Sequence, residues 1–265
     1  MSTNSDGKRR VRSSLGGLLL LTSAALCCAG PLAALGTERT WRKTFTLPPG
    51  AQVSVENVQG GIAVEGWDRA QVAATVVIRC AKPTDQIDQV QVAAELTGSR
   101  LVFHTLYPQG LDTPIRVDYH LRVPRQVRLA GLNTLAGDIA VNDVEGSLEA
   151  RSLHGDIAGF NISGAVVAHA LTGNILVSLD ALPDRHLPVT LGTINGNVQL
   201  VLPAEANANL ELSTLAGKII GNYPFQVSDT PGDRTRRARV GAGGTEVQLR
   251  TVKGDIRVSQ QTEQL

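Results

Sequence analysis

The chain has 265 residues, with 25 Lys and Arg against 24 Asp and Glu, a net charge of +1. That balance excludes a general electrostatic grip on nucleic acid, and 18% charged with 42% apolar residues excludes a charged disordered tail and a polytopic membrane protein. High glycine (27 residues) and 3% aromatics fit a turn-rich β protein and argue against an aromatic platform for sugars or bases.

The N-terminus opens with Lys8, Arg9, Arg10 and Arg12, followed by an uncharged run from Ser13 to Thr37 with an apolar heart at Leu15 to Ala29. A basic flank before a short apolar segment predicts a secretory signal peptide over residues 1–36. Gly30-Pro31 breaks the apolar helix, and Ala34-Leu35-Gly36 offers small residues for cleavage after Gly36. The alternative is an uncleaved N-terminal anchor, because the uncharged run is long enough to span a bilayer. Cys27 and Cys28 lack the small preceding residue that a lipid anchor needs. In either case the positive flank stays inside and the rest of the chain crosses, so the expected location is the periplasm or cell envelope. Removal of residues 1–36 leaves 21 basic and 23 acidic residues, with Cys80 as the remaining thiol. A lone thiol forms no internal disulfide; Cys80 closes the alternating run VAATVVIRC and is expected to be a small buried apolar residue.

Residues 37–265 are organised by a motif of small or Thr, aliphatic, any, Gly, a turn residue, Ile or Val, any, apolar. It first occurs as NVQGGIAV at Asn57. Residues 68–131 lack it and instead carry alternating runs at Val72–Cys80, Val90–Leu96, Leu101–Leu106 and Ile115–Val123. In the last of these Val117, Tyr119, Leu121 and Val123 face one way, and Arg116, Asp118, His120 and Arg122 the other. This plain-strand insert predicts a flanking antiparallel meander, with a hairpin turn at Gly98-Ser99-Arg100 and at most one short helical turn over 84–91. The motif then returns as TLAGDIAV at Thr134, SLHGDIAG at Ser152, ALTGNILV at Ala170, TINGNVQL at Thr193 and TLAGKIIG at Thr214. A segment over 221–245 with Pro224, Pro231 and the TRRAR run is expected as a surface loop, before the last copy, TVKGDIRV at Thr251.

The motif glycines Gly60, Gly137, Gly155, Gly173, Gly196, Gly217 and Gly254 are spaced by 77, 18, 18, 23, 21 and 37 residues. Aliphatics two apart after each glycine mark a half-buried strand, and Gly with Asp or Asn marks a tight turn. VEGSLEA at Val144 and ISGAVVA at Ile162 also align at 18 residues, so one unit holds two strand–Gly–strand corners. That is one coil of a single-stranded β-solenoid, an all-β fold resembling a β-helix. Stacking predicts core ladders of Leu135, Leu153 and Leu171; of Ile139, Ile157 and Ile175; of Val144 with Ile162; and of Leu148 with Val166.

The ordered set of segments resembles the bacterial adhesin-like β-strand-repeat family, a domain of unknown function commonly labelled an adhesin. The resemblance runs from FTLPPGAQVSVENVQGGIAVEGWDRAQVAATVVIRC (Phe45 to Cys80), through VDYHLRVPRQVRLAGLNTLAGDIAVNDVEGSLEARSLHGDI (Val117 to Ile157) and TINGNVQLVLPAEANANLELSTLAGKI (Thr193 to Ile219), to GGTEVQLRTVKGDIRV (Gly243 to Val258). It implies an exported domain like a β-solenoid with no established enzyme chemistry.

The residues offer little chemistry beyond that. His104, His120, His154, His169 and His186 have no metal-ligand spacing, and His154 reads as an exposed turn residue. No nucleophile elbow, phosphate loop or dinucleotide fingerprint is present. Asp138, Asp156 and Asp255, with Asn174 and Asn197, share one turn position; the expected role is turn formation, with a bound cation as the alternative. Trp67 is expected to pack in the core at the first corner. Arg234, Arg236, Arg237 and Arg239 read as a solvated loop, or more sharply as a contact for anionic lipid or surface glycan. No residue is assigned to catalysis, cofactor binding or metal binding. The expectation is a non-enzymatic exported envelope protein whose partner is another envelope protein or a surface glycan. The alternatives are a carbohydrate-active β-helix enzyme and a membrane-tethered sensory or regulatory domain.

Overall fold

The structure, a computed structural model, describes residues 37–81, 85–110, 114–224, 226–227 and 234–261. The expected signal or anchor over residues 1–36 lies outside these. The described strands are β1 (Thr37–Thr46), β2 (Gln52–Glu56), β3 (Ile62–Trp67), β4 (Gln71–Cys80), β5 (Gln91–Thr97), β6 (Arg100–Leu106) and β7 (Ile115–Pro124). The middle holds β8 (Arg128–Ala136), β9 (Ile139–Val144), β10 (Leu148–His154), β11 (Ile157–Ser163), β12 (Val166–Thr172), β13 (Ile175–Ala181), β14 (Val189–Asn195) and β15 (Val198–Leu202). The last are β16 (Ala208–Ala216), β17 (Ile219–Ile220), β18 (Gln226–Val227), β19 (Thr235–Val240), β20 (Thr245–Lys253) and β21 (Ile256–Gln260). A single 3₁₀ turn, Asp85–Gln89, sits where the short helical turn is expected.

The fold is all-β, with two large mixed sheets. One runs β1-β4-β7-β3-β9-β11-β13-β15-β21-β17 and the other β18-β19-β16-β20-β14-β12-β10-β8-β2-β6-β5. Each glycine corner carries the chain from the second sheet to the first: β2 to β3, β8 to β9, β10 to β11, and so on. We call each such strand pair a rung. Neighbouring rungs pair in parallel, with Ile157 opposite both Ile139 and Ile175, Val144 opposite Ile162, and Leu148 opposite Val166. These residues are all buried, so three of the four expected ladders are core ladders. Burying each Leu, Ile or Val contributes roughly 1.5–3 kcal/mol.

The fourth ladder is in register but faces the other way. Leu135, Leu153 and Leu171 lie between paired neighbours on β8, β10 and β12, and are 52%, 40% and 36% exposed. The inward residue is the one before it: Thr134, Ser152 and Ala170 are buried. The reason is the glycine corner. A Cβ on Gly155 would lie 2.1 Å from the carbonyl oxygen of Gly137, and one on Gly173 2.1 Å from that of Gly155. The corner also gives an inward acceptor to the residue before the aliphatic, as Thr134 and Ser152 bond glycine carbonyls of the preceding rung, and the strand period of two then points the large aliphatic out.

Two other expectations change. Residues 68–131 do contribute antiparallel pairs, β1 with β4, β4 with β7, and β5 with β6 around Gly98. They are not a separate meander, because β6 and β7 also pair in parallel with β2 and β3 and so form a further rung. The 221–245 segment is not loop throughout: β19 contains the TRRAR run and pairs antiparallel with β16. Finally, spatial order departs from chain order. The last rung, β20 with β21, lies between β14–β15 and β16–β17, and the 37 residues between the last two motif glycines include β18 and β19, which pair beyond β16.

Candidate interaction surface

Each motif position has a distinct physical job. The Ser or Thr that opens it donates to a glycine carbonyl of the preceding rung: Thr134 to Gly60 (3.1 Å), Ser152 to Gly137 (3.0 Å), Thr193 to Gly173, Thr251 to Gly196 and Thr214 to Gly254 (each 2.9 Å). Asn57 does the equivalent in the first copy, donating to Gly60 and to Val117. The small-or-Thr position of the motif thus carries a rung-to-rung bond wherever it has a hydroxyl, and Ala170 is the copy with no side-chain donor.

The turn Asp or Asn holds the next rung by its backbone. Asp138 Oδ1 accepts from Asp156 N–H (2.8 Å), Asp156 Oδ1 from Asn174 N–H (2.7 Å), and Asn174 Oδ1 from Asn197 N–H (2.9 Å). Asn197 then accepts from Asp255 and Asp255 from Lys218, at 2.8 and 2.7 Å. Asp118 starts the series without a neighbouring glycine, accepting from Gly61 N–H (2.8 Å), Arg116 and Arg79. Turn and rung joining thus account for the column. Among the described residues no group of three or more His, Cys, Asp and Glu is arranged to hold a metal ion.

Among the described residues the outward aliphatic forms an extended exposed row. In spatial order it reads Val58, Leu135, Leu153, Leu171, Ile194, Val252 and Leu215, each 36% exposed or more. Six inter-strand steps of ~4.8 Å make a ridge about 29 Å long. A continuous exposed apolar strip of this kind marks an interaction site more often than it marks chance.

Two residues before the aliphatic, on the same outer face, the column reads Asn133, Arg151, His169, Gly192, Arg250 and Ser213. Gly192 leaves a gap in it. Beside this gap a groove of about 630 Å³ opens against Ile194, Val252 and Leu215, with His169, Arg250 and Arg234 also lining it. His169 is held below its usual pKa, first by desolvation and then by the Arg151 charge. Glu211 draws Arg250 (3.1 Å) and Arg237 (3.3 Å) together, and Arg234 donates to the Leu215 carbonyl. The expected arginine cluster therefore flanks the apolar ridge from strand β19 and its start.

Other singled-out residues lie elsewhere. Cys80 is buried and free, as expected. His154 and His186 are exposed, and His104 pairs with Glu56 at 2.9 Å. Trp67 is not in the core: it is half-buried, donates from Nε1 to the Gln71 carbonyl (2.7 Å) and carries the Arg69 guanidinium 5.1 Å from its ring centroid. The aromatic packing sits with Phe103, which makes edge contacts with Trp41, Phe45 and Tyr119.

No family model matches this chain, and no curated protein sequence matches it. Solved structures do. A candidate cell adhesion protein from Clostridium sporogenes has 11% identity and a TM-score of 0.49, with 85% of this chain and 100% of that chain covered. A candidate adhesin from Bacteroides fragilis has 9% identity and a TM-score of 0.40, covering 83% and 97%. A candidate lipid-binding protein from Parabacteroides distasonis has 10% identity and a TM-score of 0.31, covering 86% and 98%.

Proposed function

We propose that this chain is a non-enzymatic, exported scaffold of the cell envelope, a β-solenoid that presents its outer face to a partner in the manner the adhesin label implies. The observation that carries the reading is the aliphatic ridge from Val58 to Leu215. Scattered single aliphatics at solvent-facing positions are ordinary and need no explanation. Here, instead, an aliphatic recurs in all seven motif copies, with the core already complete behind it. The partner is an envelope protein or a surface glycan, and the N-terminal basic and apolar segment is what directs export.

The test is cosedimentation of the full chain with envelope fractions of its host. Leu135→Asn combined with Leu153→Asn should abolish binding while leaving the melting curve in place. Undiminished binding by that variant would overturn the reading. N-terminal sequencing of the native protein checks export separately: a first residue at or near Thr37 is expected for a cleaved signal.

A further inference from the structure

We infer that the groove beside Gly192 is a binding site for a single-chain anionic amphiphile, a long-chain carboxylate being the simplest member. The inference rests on the ridge being a contact surface and adds the chemistry of what one part of it takes. Three observations converge. First, the groove is built by an omission. Its neighbours in the column are His169 and Arg250, and a Cβ on Gly192 would already come within 3.1 Å of His169 Nδ1. Gly192 has no positive φ that would require glycine, so backbone geometry does not explain the choice.

Second, one wall is aliphatic and continuous. Ile194, Val252 and Leu215 stand on consecutive strands β14, β20 and β16, so their span is about 10 Å at ~4.8 Å per step. An alkyl chain laid across them covers apolar surface that water otherwise meets. A groove of about 630 Å³ lies in the range used for small ligands.

Third, the rim is cationic. Arg234 and Arg250 line the groove, and Arg237 stands behind Arg250 on the shared carboxylate of Glu211. Two guanidiniums on one carboxylate leave a net positive charge there, and Arg234 adds another. No acidic side chain lines the groove. A carboxylate head meets this rim with its tail on the ridge, whereas a neutral amphiphile gains only the second contact.

Isothermal titration of the full chain with dodecanoate below its micelle concentration tests the site, with dodecanol and an acidic, leucine-rich peptide as comparison ligands. Saturable one-to-one binding of dodecanoate is expected, at least about tenfold tighter than dodecanol. Gly192→Val fills the gap without adding charge and suits a strand; it should weaken dodecanoate at least about tenfold with the melting temperature held or raised. Arg234→Gln should weaken dodecanoate and leave dodecanol unchanged. Unaltered binding in Gly192→Val, equal binding of dodecanol, or tight binding of the peptide in place of dodecanoate would each overturn the inference. Leu135→Asn with Leu153→Asn lies outside the groove and should bind dodecanoate normally, so failure of the envelope assay and failure of this one are separable.

Discussion

Gly155→Ala tests the rung-to-rung contact most directly. The new Cβ would stand 2.1 Å from the Gly137 carbonyl oxygen, 2.5 Å from its carbon and 3.0 Å from Asp138 Oδ1. The first two are backbone atoms, so β10–β11 must move away from β8–β9 by roughly 1 Å to reach an ordinary contact. Among the hydrogen bonds that cross this junction, three lie nearest the glycine: Gly137 N–H to the His154 carbonyl (2.8 Å), Ser152 Oγ to the Gly137 carbonyl (3.0 Å), and Asp156 N–H to Asp138 Oδ1 (2.8 Å). Losing them costs about 3 kcal/mol at ~1 kcal/mol each. Gly155 also has φ of +150°, which adds about 1–2 kcal/mol for an alanine. The sum, about 4–5 kcal/mol, is a large part of the ~5–15 kcal/mol that holds a typical domain. Gly98→Ala is the control, because Gly98 has φ of +59° but nothing within 4 Å of its Cβ position; it should lose only about 1 kcal/mol. Urea unfolding followed by far-UV circular dichroism measures both. Equal losses in the two variants would refute the argument that close backbone approach, rather than turn conformation, fixes the motif glycine.

Other outcomes follow from the same geometry. Asp156→Ala should lose about 1 kcal/mol and expose the Asn174 amide to hydrogen exchange, whereas Asp156→Asn keeps the acceptor and most of the protection. Ile157→Ala should destabilise by about 2–5 kcal/mol and Leu153→Asn by no more than about 0.5 kcal/mol, both read from urea midpoints, although sequence pattern alone would rank them together. Burial pushes the Tyr119 and Tyr107 phenols up to about 12, against a Tyr119 hydrogen bond to Thr105 of 2.7 Å. Because the folded-state values are raised, the associated stability is complete below pH ~10 and is lost as pH climbs from there toward about 12. Chemical denaturation across that window should show the decline, and Tyr119→Phe should make it shallower.

Much of the core was legible because a strand's period of two ties burial to spacing. Ile139, Ile157 and Ile175 are aliphatic at one offset from glycine, and that offset is buried in every motif copy but the one at Gly217, where Ile219 is half-buried. The neighbouring offset misled for a physical reason. Leu135 is as apolar as Ile139, and the side that turns in is set by the Thr134 hydroxyl reaching the Gly60 carbonyl of the preceding rung, a contact invisible in one sequence. The place of the last copy was equally hidden, since chain distance does not say which two rungs a strand will separate. At the groove, Gly192 looked like any strand glycine; its meaning depends on His169 and Arg250, which lie 23 and 58 residues away and become neighbours only through pairing with β14.

In most stacked-repeat proteins the covalent end is also the physical end, so unravelling can start there one unit at a time. Here the C-terminal strand β21 is clasped on both sides, by β15 and by β17, and Gln261 is tied back to the Leu202 carbonyl. A pull on the C-terminal tail would have to shear both junctions together instead of peeling one. Truncation from that side would likewise open a breach within the array rather than shorten it. The threading thus locks β21 along both of its edges.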